Sequence, residues 1–323
     1  MKVSVIIPIY NAERYIERCV RSLCEQTLIK DIEYFFINDC STDNSLSVLK
    51  KVITDYPIRK DQIRIINNKN NLGPSEARKI AINTANGDYI AFCDADDWVE
   101  PDMYEKMYKA TNCGSIDVVA CNYWIEDKES SACFYFIASS TPQEALQKMH
   151  DRHFFPYAMW NIIVRRDLLL CHINSVVSTN IREDTYLNIY IFYYAKGICF
   201  ISDILYHYCN HFGSLVHSVD YSHEAWLLQK QNIDNITTLL YSEKDGYLKY
   251  HYALNNFIYM RKQEYRNAFD NLKVFYREYR WTHGDFIDCD SSKYSSAYIK
   301  FKLELIYNTN YLFYWMYNKI YKR

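Results

Sequence analysis

Short apolar runs alternate with stretches of helical periodicity over the first hundred residues of the chain. Each apolar run is rich in β-branched residues and ends in polar ones, which is typical of buried strands. The stretches between them repeat apolar residues every three or four positions, as amphipathic helices do. This alternation predicts an α/β fold with a doubly wound, mostly parallel sheet. The predicted strands are 3–9, 32–37, 64–66 and 88–93, and the predicted helices are 12–26, 44–55 and 75–85.

Beyond residue 100 the pattern is less regular, and from residue 223 it becomes helical, with a break at Asp245-Gly246. We therefore expect an α/β domain over residues 1–220 and a helical C-terminal region over 221–323. No internal repeat or low-complexity linker separates the two. The elements predicted after residue 100 are strands at 117–124 and 197–201, an edge strand at 135–141, and helices at 142–150 and 187–194.

Composition limits the class of protein and its compartment. Charged residues make up 24% and apolar residues 49% of the 323, which indicates a folded protein, and the net charge of -2 gives no general argument for nucleic-acid binding. The eleven cysteines include no Cys-x-x-Cys pair, which is typical of a reducing compartment. No signal-peptide pattern precedes Val3, and no apolar run approaches the roughly 18 residues of a membrane span. We expect a cytoplasmic protein, with attachment to a membrane surface left open.

The most informative segment is Asp94-Ala95-Asp96-Asp97, which follows the predicted strand 88–93. Clustered carboxylates repel one another unless a cation joins them, and hard divalent ions prefer oxygen ligands. A metal held by only one or two protein carboxylates keeps positions free for the phosphates of a substrate. The alternative interpretation is that Asp96 and Asp97 are solvated loop residues or cap the following helix.

Two further polar turns follow predicted strands. Pro8-Ile9-Tyr10-Asn11 ends the first strand, and Asn38-Asp39-Cys40-Ser41 ends the second. The carboxyl ends of parallel strands form the usual ligand crevice, so all three turns are expected on one edge of the sheet. A single aspartate after a strand is commonly a helix cap, but three such placements together favour a ligand site.

Four ordered motifs in these segments resemble those of the family 2 glycosyltransferases. That family has the GT-A fold and transfers a sugar from a nucleotide donor. The resemblance covers roughly residues 1–220 and is specific at the family level, but it is nearly silent on which sugar is moved. The motifs are Val3-Ser4-Val5-Ile6-Ile7-Pro8-Ile9-Tyr10-Asn11, Asn38-Asp39-x-Ser41-x-Asp43, Asn71-Leu72-Gly73-Pro74-x-x-Ala77-Arg78 and Asp94-Ala95-Asp96-Asp97.

The resemblance implies a nucleotide pocket lined by Pro8 and Tyr10, with Tyr10 against the base. Asp39 would accept a hydrogen bond from uracil N3, which favours UDP, although dTDP and GDP donors also occur in the family. Asn38 stands where family members usually carry a second aspartate. Arg78 would approach the nucleotide or its pyrophosphate as a fixed charge, and from the residue alone an arginine on a helix surface is the alternative.

The Asp94-x-Asp96 pair corresponds to the family's Asp-x-Asp motif. The resemblance implies that Asp96 ligates Mn²⁺ or Mg²⁺ bound to the donor pyrophosphate, and that Asp94 contacts the ribose or assists the metal. The cation screens the negative charge that grows on the departing nucleoside diphosphate. Asp97 is ambiguous between supporting this site and orienting the donor or acceptor sugar.

A second acidic pair, Glu183-Asp184, lies where the family has carboxylates at the start of a helix under the acceptor site. From the residues alone, a helix cap favoured by the helix dipole is the stronger explanation. The resemblance implies that one carboxylate removes the proton from the attacking hydroxyl, and we assign this role to Asp184, with Glu183 as the second candidate. Direct attack opposite the leaving diphosphate would invert the anomeric carbon.

Trp160 and Asn161 resemble the segment that family members use beside the sugar and the acceptor. A tryptophan suits stacking on the apolar face of a sugar, and core packing of Trp160 fits the residues equally well. His207 and His211 fall where relatives often carry basic or His residues near the diphosphate, and either is a candidate third metal ligand. The chain lacks the arginine usual after the neighbouring tyrosines, so the role of both histidines stays open.

The segment 311–323 combines aromatic residues with a basic end. This composition suits a membrane interface, and it suits a helix packed on the catalytic domain equally well. A peripheral contact with the cytoplasmic face of the inner membrane would place the site beside a lipid-linked acceptor.

These residues and the resemblance together predict an inverting, metal-assisted glycosyltransferase, a hexosyl- or N-acetylhexosaminyl-transferase. Its partners would be a UDP-sugar donor and a glycan or lipid-linked glycan acceptor in bacterial surface polysaccharide, lipooligosaccharide or capsule assembly, a setting that the resemblance alone implies. A nucleotidyltransferase is the first alternative, but it and an NAD oxidoreductase normally need a Gly-rich loop, which Ile9-Tyr10-Asn11-Ala12 lacks. A catalytically inactive glycan-binding protein is the second, although the acidic groups that chemistry needs are present.

Overall fold

The computed structural model describes residues 1–126, 131–134, 141–147, 158–178 and 183–211, with 228, 231, 232, 235, 236 and 239. The chain divides into two compact units, Met1–Thr238 and Leu239–Arg323. The predicted edge strand at 135–141 falls almost wholly outside the described residues, as do the predicted domain boundary near residue 220 and the segment 311–323. In the part of the chain that is described, no helix combines the length and apolar character needed to cross a bilayer.

Nine strands in the described residues form a single sheet, in the order β3-β2-β1-β4-β8-β6-β9-β5, with β7 paired to β6. The first four in this order are parallel, as the alternating sequence pattern predicts, and β8 joins β4 in the antiparallel direction. The strands are β1 Val3–Ile9, β2 Ile32–Asn38, β3 Ile63–Asn67, β4 Tyr89–Phe92, β5 Trp98–Val99, β6 Val118–Glu126, β7 Ser131–Phe134, β8 Ile162–Arg165 and β9 Ile198–Cys209.

Helices connect the strands of the parallel half. Their bounds match the predicted helical stretches within a few residues, and the last predicted helix begins earlier than expected, at Glu183. The helices are α1 Ile16–Cys24, α2 Ser45–Ile53, α3 Pro74–Ile82, α4 Met103–Ala110, α5 Pro142–Gln147, α6 Arg166–His172 and α7 Glu183–Tyr194, and a 3-10 helix covers Pro57–Gln62.

The core lies on both faces of the parallel half of the sheet. Strands β2 and β4 are buried at every position and β1 at all but one, as expected where helices cover both faces. The helix α1 adds a buried stripe that includes Ile16, Val20 and Leu23. Burying each large aliphatic side chain stabilises the fold by about 1.5–3 kcal/mol. This half of the sheet therefore supports the turns at its edge.

Sharp turns end the first two strands. Asn11, two residues after β1, has φ of 51°, and Cys40, two residues after β2, has φ of 62°. Left-handed backbone is uncommon for residues other than glycine and is often found at functional sites. Asn11 stabilises this edge through its side-chain oxygen, which accepts the backbone N–H of Thr42 at 2.8 Å.

The second half of the sheet differs from the prediction. Strand β8 and the helices α4 and α6 were not expected, and β9 continues to Cys209 where the sequence pattern predicts an end at residue 201. Strand β8 has only four residues, too few for a periodic pattern. Strand β9 is partly exposed along much of its length and pairs with β6 through register shifts near Asn122, which weakens the alternation that identifies a strand.

Candidate active site

The carboxyl ends of β1, β2 and β4 meet at one edge of the sheet. Strand β1 pairs in parallel with β2 on one side and with β4 on the other, with Ile9 opposite Asn38 and Ile6 opposite Phe92. The polar turns after these strands therefore lie side by side, as the sequence predicts. We call residues 94–97 the acid loop, because its three aspartates follow β4 directly.

Asp39 organises the part of this edge that follows β2. Its side chain is 3% exposed, and its carboxylate accepts three sets of N–H groups: Asn68 Nδ2 at 2.7 Å, the backbone of Leu72 at 3.0 Å and the backbone of Gly73 at 2.8 Å. An ionised carboxylate has about four lone-pair sites. Asp39 thus holds the turn that leads into α3 and keeps little acceptor capacity for a ligand.

The predicted nucleotide contacts flank Asp39. Tyr10 is 51% exposed, and Pro8 is partly buried in β1. Asn38 is buried, donates from Nδ2 to Asn67 Oδ1 at 3.1 Å and accepts the backbone N–H of Ser41 at 3.2 Å. An ionised aspartate has no proton to donate to Asn67, so the amide of Asn38 makes a hydrogen bond that the usual aspartate could not.

Arg78, in the second turn of α3, joins two acidic segments that are far apart in the sequence. Its Nη2 donates to Asp94 Oδ1 at 3.1 Å, and its Nη1 lies 3.0 Å from Asp184 Oδ1 and 3.4 Å from Glu183 Oε1. The guanidinium is buried, which lowers its pKa, but Asp184, Asp94 and Glu183 outweigh that effect and raise it overall. Arg78 is therefore a permanent cation, and it lies among carboxylates rather than on a helix surface.

Three carboxylates surround the single positive charge of Arg78. Burial raises the pKa of Glu183 to about 7, with a further contribution from the charge of Asp184. Burial also raises the pKa of Asp184, although Arg78 opposes it. Groups whose pKa is raised by burial beside a specific charge partner are typical of functional sites. One carboxylate of this pair is thus suited to exchange a proton near neutral pH.

Asp96 pairs with a histidine that follows β9. Its Oδ2 is 2.8 Å from His211 Nε2, and the His211 ring stacks on Tyr15 with centroids 4.3 Å apart. Burial raises the pKa of Asp96, and the charge of Asp94 raises it further. His211 Nδ1 is buried and has no hydrogen-bond partner among the described residues.

These groups fit a divalent cation that takes part of its coordination from a substrate. Asp96 lies beside the imidazole of His211 and two residues from Asp94. Burial and the charge of Asp94 disfavour the ionised form of Asp96, and a bound cation would offset that effect. Across the described ranges, no three His, Cys, Asp or Glu side chains are placed as a complete set of metal ligands. Remaining ligands would have to come from phosphate oxygens, as the sequence analysis expects of such a site.

Asp97 is the buried aspartate of the acid loop. It is 1% exposed, its Oδ2 accepts the hydroxyl of Tyr206 at 2.6 Å, and its Oδ1 accepts the backbone N–H of Cys209 at 2.8 Å. Burial raises its pKa well above the usual range, with Asp96 and Asp94 adding to the effect. These contacts favour a role for Asp97 in holding the acid loop to β9 over contact with a sugar.

Trp160 and Asn161 contact β6 and β9. The indole stacks on Tyr206 and Tyr208, with ring centroids 4.4 and 5.7 Å apart. Asn161 is buried and donates from Nδ2 to the carbonyl of Cys121 at 3.0 Å. The structure thus places Trp160 in an aromatic stack beside the acid loop and uses the Asn161 amide to join β8 to β6.

His207 and His211 have different surroundings. His207 stacks on Trp98 with centroids 3.5 Å apart, and its Nε2 lies 2.8 Å from Glu100 Oε1. It therefore ties β5 to β9, while His211 reaches the acid loop. Tyr206, whose hydroxyl touches the acid loop, is not among the residues predicted from the sequence. Its alternation with Tyr208 along β9 was the available signal, and the unrecognised length of β9 hid it.

Comparison with known proteins identifies relatives of this chain. A family model described as Glycosyl transferase family 2 matches residues 4–172, more than half of the 323 residues. The uncharacterized glycosyltransferase EpsJ of Bacillus subtilis (strain 168) is 33% identical over 218 residues, which cover 64% of this chain and 60% of EpsJ. Glycosyltransferase GlyG of Streptococcus pneumoniae serotype 4 is 29% identical over 228 residues, 66% of this chain and 72% of GlyG. The chain thus spans about three fifths of the length of curated relatives such as EpsJ.

The fold has a similar counterpart among solved structures. TarS 1–349 of S. aureus, crystallised with UDP-GlcNAc, superposes with a TM-score of 0.63 and 20% sequence identity, covering 85% of this chain and 76% of TarS. At this identity the likeness concerns the fold alone, and it confirms the GT-A fold predicted from the sequence motifs.

Proposed function

Because this chain belongs to glycosyl transferase family 2, we propose that it is an inverting glycosyltransferase that moves a sugar from a UDP-sugar to a hydroxyl of an acceptor glycan. One observation carries the proposal. Arg78 holds Asp94 of the acid loop and the pair Glu183-Asp184 within reach of a single guanidinium. Groups suited to bind a diphosphate and groups suited to remove a proton thus stand at the same edge of the sheet.

The donor nucleotide is assigned to the turns after β1 and β2. Tyr10 offers an exposed ring for the base, with Pro8 near the end of β1 and Asp39 directly after β2. Asp39 shapes this site through the backbone N–H groups of Leu72 and Gly73, and the sequence resemblance assigns it to uracil N3. The preference for UDP rests on this carboxylate, and TarS, which shares the fold, was crystallised with UDP-GlcNAc.

Asp96 and Asp94 would hold Mn²⁺ or Mg²⁺ together with the donor diphosphate, with His211 beside Asp96. When bound, such an ion screens the negative charge that develops on the departing UDP. Arg78 supplies a second positive charge beside Asp94, and it keeps both acidic segments in register before the donor arrives.

Asp184 is proposed as the base that takes the proton from the acceptor hydroxyl. Its ion pair with Arg78 orients the carboxylate, and burial raises its pKa toward the range that favours proton transfer. Attack from the side opposite the diphosphate inverts the anomeric carbon. Glu183, whose pKa is raised to about 7, is the alternative base.

The acceptor and the setting follow from the sequence resemblance. We propose a glycan or lipid-linked glycan in bacterial surface-polysaccharide assembly as the acceptor, met at the cytoplasmic face of the membrane. The sugar specificity, hexosyl or N-acetylhexosaminyl, is left to experiment.

A donor screen tests the proposal. Purified protein with Mn²⁺ is mixed with each of several UDP-sugars and with glycan acceptors, and the release of UDP is measured. We expect at least one donor to give UDP release that Asp184→Asn abolishes. The matched control is Asp167→Asn, at an exposed aspartate in the first turn of α6, which should match the wild type. Absence of UDP release from every donor, or release of pyrophosphate from a nucleoside triphosphate instead, would contradict the proposal.

A further inference from the structure

Strand β9 and His211, two residues after it, contact the acid loop. The Tyr206 hydroxyl and the Cys209 backbone N–H reach Asp97, and the His211 imidazole reaches Asp96. Tyr206 has one more contact, because its hydroxyl oxygen lies 3.1 Å from the backbone nitrogen of Asp94. A single oxygen atom therefore bridges the first and the last residue of the loop.

The polarity of this bridge is determined by its partners. The Asp94 N–H can only donate, so the Tyr206 oxygen accepts from it and donates its own proton to Asp97 Oδ2 at 2.6 Å. The Asp97 N–H also donates to the Asp94 carbonyl at 3.1 Å, which closes the loop into a tight turn. Asp96 lies within this turn, so its position depends on the closure.

The surroundings of Tyr206 keep the hydroxyl in place. The side chain is fully buried, and its ring stacks on Trp160 with an interplanar angle of 17°. Nothing in these contacts requires Tyr206 to touch a substrate.

We propose that Tyr206 is a positioning residue that holds the acid loop in the geometry needed for Asp94 and Asp96 to receive a divalent cation and a diphosphate. This inference rests on the proposed function, and it adds a residue that none of the four sequence motifs contains. Residues that orient metal ligands typically change metal affinity about 10–100-fold when they are mutated.

The test uses Tyr206→Phe, which keeps the ring and its stacking but removes the oxygen. Binding of UDP is measured by calorimetry at increasing Mn²⁺ concentration, so that the readout is the Mn²⁺ needed for half-maximal binding rather than catalytic activity. We expect this concentration to rise about 10-fold or more. Thermal unfolding in EDTA shows whether the variant is folded.

Two tyrosines serve as matched controls. Tyr104 is fully buried in the same core, and its hydroxyl has no hydrogen-bond partner among the described residues, so Tyr104→Phe tests removal of a buried oxygen alone. Tyr89 donates to the carbonyl of Ile116, so Tyr89→Phe tests the loss of a hydrogen bond away from the acid loop. Both should need the wild-type Mn²⁺ concentration within a factor of about two.

A second variant covers the case in which Tyr206→Phe fails to fold. Asp97→Asn keeps the side-chain volume but replaces one of the two acceptors of Asp97, so it must also raise the Mn²⁺ requirement. A Mn²⁺ requirement equal to that of the Tyr89→Phe control, in either folded variant, overturns the inference while leaving the proposed function intact. If the wild type itself does not bind UDP in the presence of Mn²⁺, the proposed function and the inference both fail.

Discussion

Two neighbouring regions of the sheet edge handle buried acidic groups in opposite ways. On the nucleotide side, the carboxylate of Asp39 is surrounded by neutral N–H donors from Asn68, Leu72 and Gly73. On the transfer side, defined here as Arg78, the acid loop, Glu183 and Asp184, several carboxylates share one guanidinium. The first region satisfies its charge with hydrogen bonds, and the second does not.

The nucleotide side thus sets the shape of the site, and the transfer side carries the groups with perturbed pKa values. The hydrogen bonds of Asp39 set the form of the turn before α3 without any ligand. Raised pKa values of Asp96, Glu183 and Asp184 show that the transfer side is penalised for its negative charge in the absence of a further cation. We infer that the nucleotide side is preformed and that the transfer side is completed only by a bound cation and diphosphate.

The largest expected effect is on the transfer side, at the base. Asp184→Asn should lower kcat about 10³-fold, because general-base catalysis typically contributes about 10²–10⁴. The amide keeps the size of the side chain, so UDP affinity should stay within about threefold, a margin well below the rate effect. Single-turnover transfer and UDP calorimetry measure the two quantities on one preparation. Equal losses in kcat and in UDP affinity would show that Asp184 is a binding residue and not the base.

The next effect tests the buried cation. Arg78→Met should lower the free energy of unfolding by about 3–5 kcal/mol in EDTA, because it leaves three carboxylates without their partner. Urea unfolding measures this loss. Arg21 is the matched control, since it also pairs with two carboxylates, Glu17 and Asp55, but on the surface. A loss for Arg78→Met no larger than that for Arg21→Met would mean that the transfer side needs no cation for its stability.

A smaller effect belongs to the nucleotide side. Asp39→Asn turns one acceptor of the buried side chain into a donor that faces the N–H groups of Leu72 and Gly73, which should cost about 1–3 kcal/mol of stability. UDP affinity should fall by the same factor with and without Mn²⁺, because Asp39 contacts no group of the proposed metal site. If UDP affinity falls only in the presence of Mn²⁺, then Asp39 acts through the metal site, and the nucleotide side and the transfer side are not separate.

The smallest effect, counted per pH unit, is a pH dependence at Glu183. Its pKa of about 7 in the folded chain lies above the ordinary value of 4.5. Between these values the unfolded chain releases a proton that the folded chain keeps, so wild-type stability falls as pH rises through this window. Because Glu183→Gln lacks this proton, its stability relative to the wild type should rise by at most about 1.4 kcal/mol per pH unit between pH 4.5 and 7, and then level off.

Thermal unfolding of both proteins at each pH checks this prediction. The variant also loses the contact between Glu183 and Arg78, but that loss shifts the difference by an amount that is nearly constant, so only the slope with pH is diagnostic. If the difference in stability between Glu183→Gln and the wild type does not change between pH 5 and 7, then the pKa of Glu183 is not raised in the folded chain.

Much of the parallel half could be predicted from the sequence. Strands such as Val3–Ile9 and Ile32–Asn38 are continuous apolar runs, and covered parallel strands have that pattern. The convergence of Asp39 and the acid loop follows from the same rule, since parallel strands end at one edge. The contacts of Arg78 with Glu183 and Asp184 could not be predicted in the same way, because these residues are more than a hundred positions away in the sequence.

The second half of the sheet shows where sequence patterns stop being informative. Strand β8 is four residues long, and β9 is only partly buried, so neither has the periodicity that identifies a strand. As a result, the contact between Tyr206 and Asp97 could not be predicted from the sequence. Asp97 illustrates this most clearly, since it adjoins Asp96 in the sequence but faces the interior.

The most direct test of the central claim is UDP binding with and without a divalent cation. The account predicts that the wild type binds UDP at least about 10-fold more tightly in Mn²⁺ than in EDTA, and that Asp96→Ala loses this gain while keeping its affinity in EDTA. Equal affinity in Mn²⁺ and EDTA for the wild type, or a full Mn²⁺ gain in Asp96→Ala, would contradict it.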